Sequence, residues 1–548
     1  MDMSAGNRKS ISLFALIMIG IGSIFGSGWL FGAGNAAKVA GPAAVVAWIL
    51  GAIFMGLIAM SYGEVGAAYP IPGGMARFGA FSHGPVLGFI TGWAVWLAVA
   101  ALIPIESIAT TQYMASWNFS WASGLFDTAN HQLTGSGTVV AFLLTVALWL
   151  VCYWSVQLLA RVNILLTLFK FGIPVLTVAA LMASGFHTSN FSSAGGFAPY
   201  GWTAVLTAVS TSGVVFAFNG FQAIVNLGGS AKNPGRAIPA ALIGALGLGL
   251  LIYLALQVAF IGSVPPDELA AKGWQGVNFD SPFVDLAKVL ALHWVVTMLQ
   301  FGAFISPAGS NIANVASSAY MVQNLADSGF FPKKLKEVHP VYGTARPAMW
   351  ANLVFSVVLL LAAGKSWSAL SAVVSAAMVI SYLIGPIAVG LFRQTKPDLK
   401  RPFRLPAAAF LCPFTFVLAA CALYWSKWPN TGLCILLALI SVPIAAVVMH
   451  RREPGSLVRQ FAPAWWMIAF LLWMAVISAL GSPDFGGSGL IPGGVDMALV
   501  AVSALGFYYW ALNAGRKAAR DGLARDCYEE ETAPQEDSAT KETVVVAS

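Results

Sequence analysis

Charged residues are scarce in this chain of 548 residues. Asp, Glu, Lys and Arg make up 9% of it, whereas hydrophobic residues make up 58% and the mean hydropathy is +0.77. Soluble domains carry about 25% charged residues, so this composition excludes a soluble protein and indicates many membrane spans. Cysteine and histidine are also scarce, and neither the five cysteines nor the six histidines show paired or metal-ligand spacing. We therefore predict no disulfide, no metal site and no cofactor.

Long apolar windows are what the sequence has in abundance. Windows of roughly 20 apolar residues, the length that crosses a bilayer as a helix, recur along nearly the whole chain. They predict about fourteen transmembrane helices, with connecting loops too short to hold a soluble catalytic domain. The predicted centres lie near Ile24, Ile53, Ala100, Ala147, Val175, Val215, Leu250, Ile305, Val357, Val379, Leu418, Leu439, Leu471 and Leu505.

The Lys and Arg residues alternate between successive connecting segments. Cytoplasmic loops retain positive charge, so this bias predicts that both termini are cytoplasmic in the plasma (inner) membrane. Residues 1–10 would be a cytoplasmic N-terminus, and the polar, acid-rich residues 516–548 a disordered cytoplasmic tail. The net charge of +7 follows from this topology, and we expect no nucleic-acid partner. Five lysines are predicted to lie on the opposite face: Lys38, Lys272, Lys288, Lys365 and Lys427.

Six glycines crowd the first predicted span, MIGIGSIFGSGWLFGAGNA at residues 18–36. A helix break at Gly26-Ser27-Gly28 would free N–H groups on one half-helix and carbonyl groups on the other. Such half-helix ends bind an anionic or a cationic group without placing a formal charge in lipid. The alternative is close helix packing through G-x-x-x-G spacing, which Gly22 and Gly26 match.

A second interruption, Asn219-Gly220, lies within the sixth predicted span, SGVVFAFNGFQAIVNLGG at residues 212–229. Transporters built from inverted repeats carry discontinuous helices at corresponding positions of their two halves. Five spans separate the two interruptions, which is the period that an inverted five-plus-five repeat requires.

Several motifs, in order along the chain, resemble those of amino acid–polyamine–organocation permeases: GSIFGSGWLFG, SYGEVGAAYPIPGGMARF, FAFNGFQ with AKNPGRAIP, LADSGFFPKKLKEVHPVYGTARP and KPDLKRPFRLP. The resemblance covers most of residues 10–410 and looks closest to aspartate–proton symporters. It implies an all-α polytopic membrane protein with a LeuT-like core, in which helices 1 and 6 are unwound around an amino acid substrate. Residues 11–185 would form the first five-helix repeat, residues 198–393 the second inverted repeat and residues 405–513 four additional transmembrane helices.

The same resemblance implies substrate-binding residues in the two broken helices. The substrate ammonium would meet carbonyl groups at the positions that match Phe216 and Asn219, and the Phe216 ring would close over the substrate. This polarity agrees with the dipoles of the half-helix ends. The substrate carboxylate would meet backbone N–H groups of the first span at the positions that match Ser27 and Gly28, with Ser23 and Ile24 beside them.

Gln222 departs from the family pattern, because many relatives carry a Glu at this position. Without that negative charge the site would favour a neutral or an acidic substrate. Asn219 and Asn226 add further amide groups, although hydrogen bonding between helices is an alternative role for all three residues. We predict an acidic substrate, aspartate or glutamate.

Two ionisable residues lie deep in predicted spans, where such residues are functional candidates. Lys170 matches a lysine that, in some proton-coupled relatives, stands where sodium-coupled members of the wider fold hold a cation. We therefore predict that Lys170 couples transport to protons, and a structural role at the carbonyl groups of the first span is compatible with this. Glu106 is a second candidate for the proton path, or a pocket or structural residue. Glu64, in a GE motif, is predicted to serve packing or gating.

Other function classes fit these features less well. An enzyme would need a nucleophile with a base, or metal ligands, within reach of one another, and the histidine pattern offers neither. A channel would favour a continuous polar pore over two broken helices, and a sensor would need an output domain. Within transport, symport of an acidic amino acid with protons, symport of a neutral amino acid and amino acid exchange stay open. The sequence assigns no oligomeric state.

Overall fold

A computed structural model describes residues 11–71, 74–154, 156–228, 231–339, 344–362 and 366–524 of the chain. Within these residues the protein is almost entirely helical, as its apolar composition predicts. One two-stranded antiparallel ribbon, β1 (Phe126–Asp127) with β2 (Gln132–Leu133), lies in the loop that follows α5.

The helices of the first half surround the two predicted breaks. They are α1 (Leu13–Ile24), α2 (Gly28–Ala40), α3 (Ala44–Ala68), α4 (Phe78–His83), α5 (Pro85–Met114), α6 (Gly135–Trp154), α7 (Val156–Ser184), α8 (Gly201–Thr211), α9 (Val214–Ala217), α10 (Phe221–Leu227) and α11 (Pro234–Ser263).

The remaining helices complete the bundle. They are α12 (Pro266–Gly276), α13 (Pro282–Val289), α14 (His293–Asp327), α15 (Arg346–Ala362), α16 (Trp367–Tyr382), α17 (Ile384–Thr395), α18 (Ala408–Trp425), α19 (Asn430–Leu439), α20 (Ser441–Arg452), α21 (Leu457–Phe461), α22 (Trp465–Leu480) and α23 (Val495–Arg520).

The described residues contain nine helices that are long and apolar enough to cross a membrane. A tenth is added if Gly201–Ala217 and Phe221–Leu227, which meet at a bend of 45°, form one span. Every predicted span centre lies inside a helix, and four of them fall in α1, α14, α15 and α22, outside these ten. The protein is therefore an all-α, multi-pass membrane protein.

α5 lies at the centre of the bundle. Nearly all of its residues are buried, and it packs against α14, α15 and α16. Pro104 lies inside α5 two residues before Glu106, and it removes a backbone donor at that point.

The C-terminal helix α23 continues to Arg520, past the predicted start of the disordered tail at Arg516. The reason is packing: Gly515 and Ala518 are buried, and Gly515 lies against His83 of α4. The rest of the predicted tail, residues 525–548, and the predicted N-terminal segment, residues 1–10, lie outside the described residues.

Candidate substrate and coupling site

The first predicted break is present between α1 and α2. α1 ends at Ile24, α2 begins at Gly28, and Phe25 between them has φ −82° and ψ 74°, which is not helical. Four carbonyl groups at the end of α1 and four N–H groups at the start of α2 therefore lack partners within their own helices. They lie inside the protein, so other side chains must satisfy them.

The second predicted break is present between α9 and α10, and it faces the first. Gly220 has φ +124°, which favours glycine. A Cβ atom at Gly220 would lie 2.6 Å from the carbonyl carbon of Ser23, and one at Gly28 would lie 2.8 Å from the Cα of Ala217. The glycines thus serve both predicted purposes, because they accompany the breaks and let the two broken helices approach closely.

The side chain of Lys170, which belongs to α7, reaches the C-terminal end of α1. Its Nζ donates to the carbonyl oxygen of Gly22 at 2.7 Å and to Ser310 Oγ at 2.9 Å, and the side chain is 1% exposed. A cation at this position is favourable, because the carbonyl end of a helix carries partial negative charge. Both predicted roles of Lys170, at the carbonyl groups and as a buried ionisable group, are compatible with this geometry.

The side chain of Glu106, which belongs to α5, reaches the N-terminal end of α2. Its Oε2 accepts the backbone N–H of Ser27 at 2.9 Å, and the side chain is 3% exposed. α2 has no side-chain cap from Ser27 itself, so Glu106 supplies the acceptor and a negative charge where the helix dipole favours one. A Cβ atom at Gly26 would collide with Oε1 of this carboxylate. The first break therefore has an ionisable side chain at each end, an acid at the N–H end and a base at the carbonyl end.

Three residues that the sequence analysis did not identify satisfy further groups of the breaks. Ser306 Oγ lies 2.8 Å from the Phe25 carbonyl oxygen, and the Tyr253 hydroxyl lies 3.1 Å from the carbonyl oxygen of Ile24 and 2.9 Å from that of Ala217. Trp367 Nε1 donates to Ser27 Oγ at 2.9 Å. The only local signal for these contacts was the pair of serines in SPAGS, Ser306 and Ser310. They are four residues apart, so their hydroxyl groups lie on one face of α14.

Gln222 stabilises the second break through hydrogen bonds. Its Oε1 accepts the backbone N–H of Gly220 at 2.8 Å, and its Nε2 donates to Asn219 Oδ1 and the Tyr382 hydroxyl. The Tyr382 hydroxyl lies 2.9 Å from Asn219 Oδ1. Asn226, one turn later on α10, does not line the cavity between the two breaks.

A cavity of about 40 Å³, which we call the central cavity, lies between the two breaks. Of the predicted residues, Ser27, Gly28 and Lys170 do not line it. The predicted residues that line it are Ser23, Ile24, Glu106, Phe216, Asn219 and Gln222. The structure thus brings most of the predicted substrate residues to one cavity, with Lys170 behind the first break.

Glu64 lies apart from this cavity. Its carboxylate accepts Arg393 Nε at 2.9 Å and Nη2 at 2.6 Å, and also the backbone N–H of Leu405 at 2.6 Å. Arg401 Nε lies 3.7 Å from the same carboxylate. These contacts fix the loop after α17 to the end of α3, which fits the predicted packing or gating role.

The described residues offer no obvious metal chemistry. Among residues 11–524, apart from the undescribed gaps, no group of three or more His, Cys, Asp or Glu is arranged to hold a metal ion. The four cysteines in the described part are free and buried, and Cys527 lies outside it.

Comparison with known proteins agrees with this architecture. A family profile described as amino acid permease matches residues 11–433. The chain belongs to the amino acid permease family. The motif resemblance is confirmed, and the permease is a transporter rather than an enzyme.

Individual relatives cover nearly the whole permease. The glutamate/serine transporter AimA of Bacillus subtilis is 44% identical over 511 residues, which are 93% of this chain and 94% of the relative. The aspartate-proton symporter of Bacillus subtilis is 37% identical over 520 residues, which are 94% and 98%. The branched-chain amino acid permease BcaP of Bacillus subtilis is 25% identical over 409 residues, which are 73% and 84%.

Proposed function

We propose that this permease takes up an acidic amino acid, aspartate or glutamate, by proton symport with alternating access. It acts in the plasma (inner) membrane with both termini cytoplasmic. Its core is a LeuT-like inverted repeat in which α1–α2 and α8–α10 are the discontinuous helices. In this arrangement the protein has fourteen spans, the last four of which lie outside the core.

The two ionisable side chains at the first break, Lys170 and Glu106, are the main support for this proposal. Lys170 holds the carbonyl end of α1, and Glu106 holds the N–H end of α2. The two side chains lie at opposite ends of one break, so opposite charges on them would attract each other. A transporter needs groups of this kind at the point where its substrate binds, because a change in their protonation alters the ends of both half-helices.

Lys170 supports coupling to protons rather than to sodium. A carbonyl oxygen and a hydroxyl oxygen, as at Gly22 and Ser310, are oxygen ligands that suit a hard cation. Here the lysine ammonium binds both of them. Loss of its proton would remove the charge that holds the end of α1, so proton release is linked to movement of this half-helix.

Glu106 supports a direct link between the proton and the substrate. The N–H of Ser27, which we predict to bind the substrate carboxylate, already donates to the Glu106 carboxylate. The two carboxylates therefore compete for one donor. Protonation of Glu106 weakens its hydrogen bond with the Ser27 N–H, because a neutral carboxyl group is a poorer acceptor than a carboxylate.

Two observations support an acidic substrate. Gln222 places a neutral amide beside the central cavity, so no fixed negative charge at this position repels a side-chain carboxylate. The relatives named as a glutamate/serine transporter and an aspartate-proton symporter align over nearly all of this chain. The first of these names also favours a second candidate, a small neutral amino acid such as serine.

Uptake into proteoliposomes tests the proposed function. Purified permease would be given labelled L-aspartate with an inward proton gradient, with an inward sodium gradient and with neither. Unlabelled glutamate, serine, leucine and arginine would be used as competitors. We expect proton-driven uptake that glutamate inhibits more strongly than leucine or arginine. If leucine competes better than either acid, the acidic substrate is wrong, and if serine alone competes, the second candidate replaces it.

A further inference from the structure

A stripe of small polar residues runs along α14, and the contacts described above use only part of it. Ser306, Ser310, Asn314 and Ser317 are spaced by four, four and three residues, so they lie on one face of the helix. The first two serines serve the first break, as partners of a backbone carbonyl group and of the Lys170 ammonium. Asn314 and Ser317 take no part in those contacts.

Asn314 and Ser317 line the central cavity, and both are partly exposed. Within the described part of the chain, no hydrogen bond joins either side chain to another residue. An asparagine that served only to hold membrane helices together would hydrogen-bond to a neighbouring helix. The amide of Asn314 therefore keeps two N–H donors and a carbonyl oxygen for a group in the cavity.

Three of the other four polar side chains in the cavity lining are already engaged. Asn219 and Gln222 bind each other, and Glu106 accepts a backbone N–H of the first break. The fourth, Ser23, lies on the broken helix itself, beside the positions that we predict for the α-carboxylate of the substrate. The side chains on α14 are thus the polar groups of the lining that neither the breaks nor their partners use.

The walls of the cavity differ in what they can offer a substrate. The two breaks supply N–H and carbonyl groups, which suit the α-carboxylate and the α-ammonium of an amino acid. Beside Glu106, α5 contributes Val99 and Leu102, whose side chains cannot hydrogen-bond. A polar group at the end of the substrate side chain therefore finds its partners on α14.

We propose that Asn314 determines substrate specificity, because its Nδ2 donates to the side-chain carboxylate of aspartate or glutamate, and Ser317 donates to the same carboxylate. The inference rests on the proposed function, since it assigns the side-chain contact in that same site. A neutral amide is sufficient, because a hydrogen bond to a charged group is roughly twice as strong as a neutral one. The amide also suits the hydroxyl of serine but offers no partner to the side chain of leucine.

Replacement of the amide by an apolar side chain of similar size tests this contact. Asn314→Leu removes the donor and the acceptor, so the Kd for aspartate should rise roughly tenfold or more, and leucine should bind better than before. The rise in Tm that each unlabelled amino acid causes in purified permease measures binding without transport. Gln323→Leu removes an amide from α14 outside the cavity lining and should bind aspartate as the unmodified permease does.

Asn314→Asp is a second variant, which preserves the size of the side chain and so should fold normally. At neutral pH the added carboxylate repels the side chain of aspartate and accepts from the side-chain amide of asparagine. The ratio of the Kd for aspartate to the Kd for asparagine should therefore rise roughly tenfold or more. Gln323→Glu adds a charge to α14 outside the cavity lining and should change this ratio less than about twofold.

The outcomes separate this contact from the proposed function. If Asn314→Leu binds aspartate as tightly as the unmodified permease, or if Asn314→Asp leaves the ratio unchanged, Asn314 does not bind the substrate side chain. If both variants shift the preference as expected but uptake by the unmodified permease is not driven by protons, the proposed function is wrong and the contact stands. An unmodified permease that binds serine and no acidic amino acid would contradict both.

Discussion

The backbone N–H of Ser27 donates to the Glu106 carboxylate at 2.9 Å, across 79 positions of the chain. This contact places a carboxylate of the protein on the donor that we predict for the carboxylate of the substrate. The N-terminal end of α2 is suited to either group, because its unpaired N–H groups and its dipole favour an anion. Substrate binding and the state of Glu106 are thereby linked through one atom.

Glu106→Gln should uncouple transport from protons. The amide retains an oxygen that can accept from Ser27 but carries no charge, so it neither takes up a transported proton nor competes fully with the substrate. We expect exchange of internal for external aspartate to continue, while accumulation driven by a proton gradient is lost. The Kd for aspartate should then vary less than about twofold between about pH 6 and about pH 8.

Glu268→Gln is the matched control for this variant. Glu268 pairs with Lys272 on the surface, at 2.6 Å, and does not line the central cavity. The Glu268→Gln variant should transport aspartate as the unmodified permease does. Proton-driven accumulation by Glu106→Gln at the normal rate would rule out the linkage through Ser27.

Lys170→Ala should abolish accumulation against a gradient. The substitution leaves the Gly22 carbonyl and the Ser310 hydroxyl without the ammonium that bridges them. Lys170→Arg retains a charge but cannot release its proton, so it should bind substrate and fail to accumulate it, with at least about a tenfold loss of proton-driven uptake. Uptake of labelled aspartate into proteoliposomes measures both Lys170 variants, with Lys427→Ala as the control. Sodium-dependent uptake that is insensitive to pH in the intact permease would contradict this role.

Gly220→Ala and Gly28→Ala should each weaken substrate binding. A new Cβ atom would lie within 2.9 Å of backbone atoms of the other break in both variants, so the broken helices must move apart. Overpacking of this kind costs about 1–3 kcal/mol, which corresponds to about 5- to 150-fold in Kd if the whole cost falls on the binding-competent state. Binding of labelled aspartate to purified protein measures the effect.

Gly56→Ala is the control for these glycines. A Cβ atom at Gly56 meets no neighbour within 4 Å, so this variant should bind substrate normally. If Gly28→Ala binds equally well, the close approach of the breaks is not needed for the site.

Gln222→Glu should change which substrate is preferred. The added charge beside the central cavity repels a side-chain carboxylate, so the KM for aspartate should rise roughly tenfold or more. Serine and basic amino acids should compete better than before. Asn226→Asp adds the same charge one turn later on α10, outside the cavity lining, and should alter specificity less. Equal effects of the two variants would argue for a general effect of charge rather than for a contact at Gln222.

The helical segments and the breaks could be predicted from local sequence. Apolar windows marked the helices, and Gly26-Ser27-Gly28 and Asn219-Gly220 marked the interruptions, because hydropathy and backbone freedom are properties of neighbouring residues. The groups that complete the breaks could not be predicted in this way. Glu106 was predicted as a deep ionisable residue but not as the partner of Ser27, and Ser306 and Trp367 were not identified. All three reach Ser27 or Phe25 from distant helices, and no local pattern encodes such pairings.

The helix ends were also hard to predict. α23 continues past Arg516 because Gly515 and Ala518 pack against other helices, although the residues around them are polar.

Proton movement driven by the substrate alone tests the central claim most directly. Proteoliposomes with a pH-sensitive dye inside would receive an inward gradient of L-aspartate, with no imposed proton or sodium gradient and with the membrane potential held at zero. Proton symport predicts that the interior becomes more acidic with aspartate and much less so with leucine, and that Lys170→Ala abolishes the change. Uptake of labelled aspartate without acidification, or uptake that requires sodium, would contradict it.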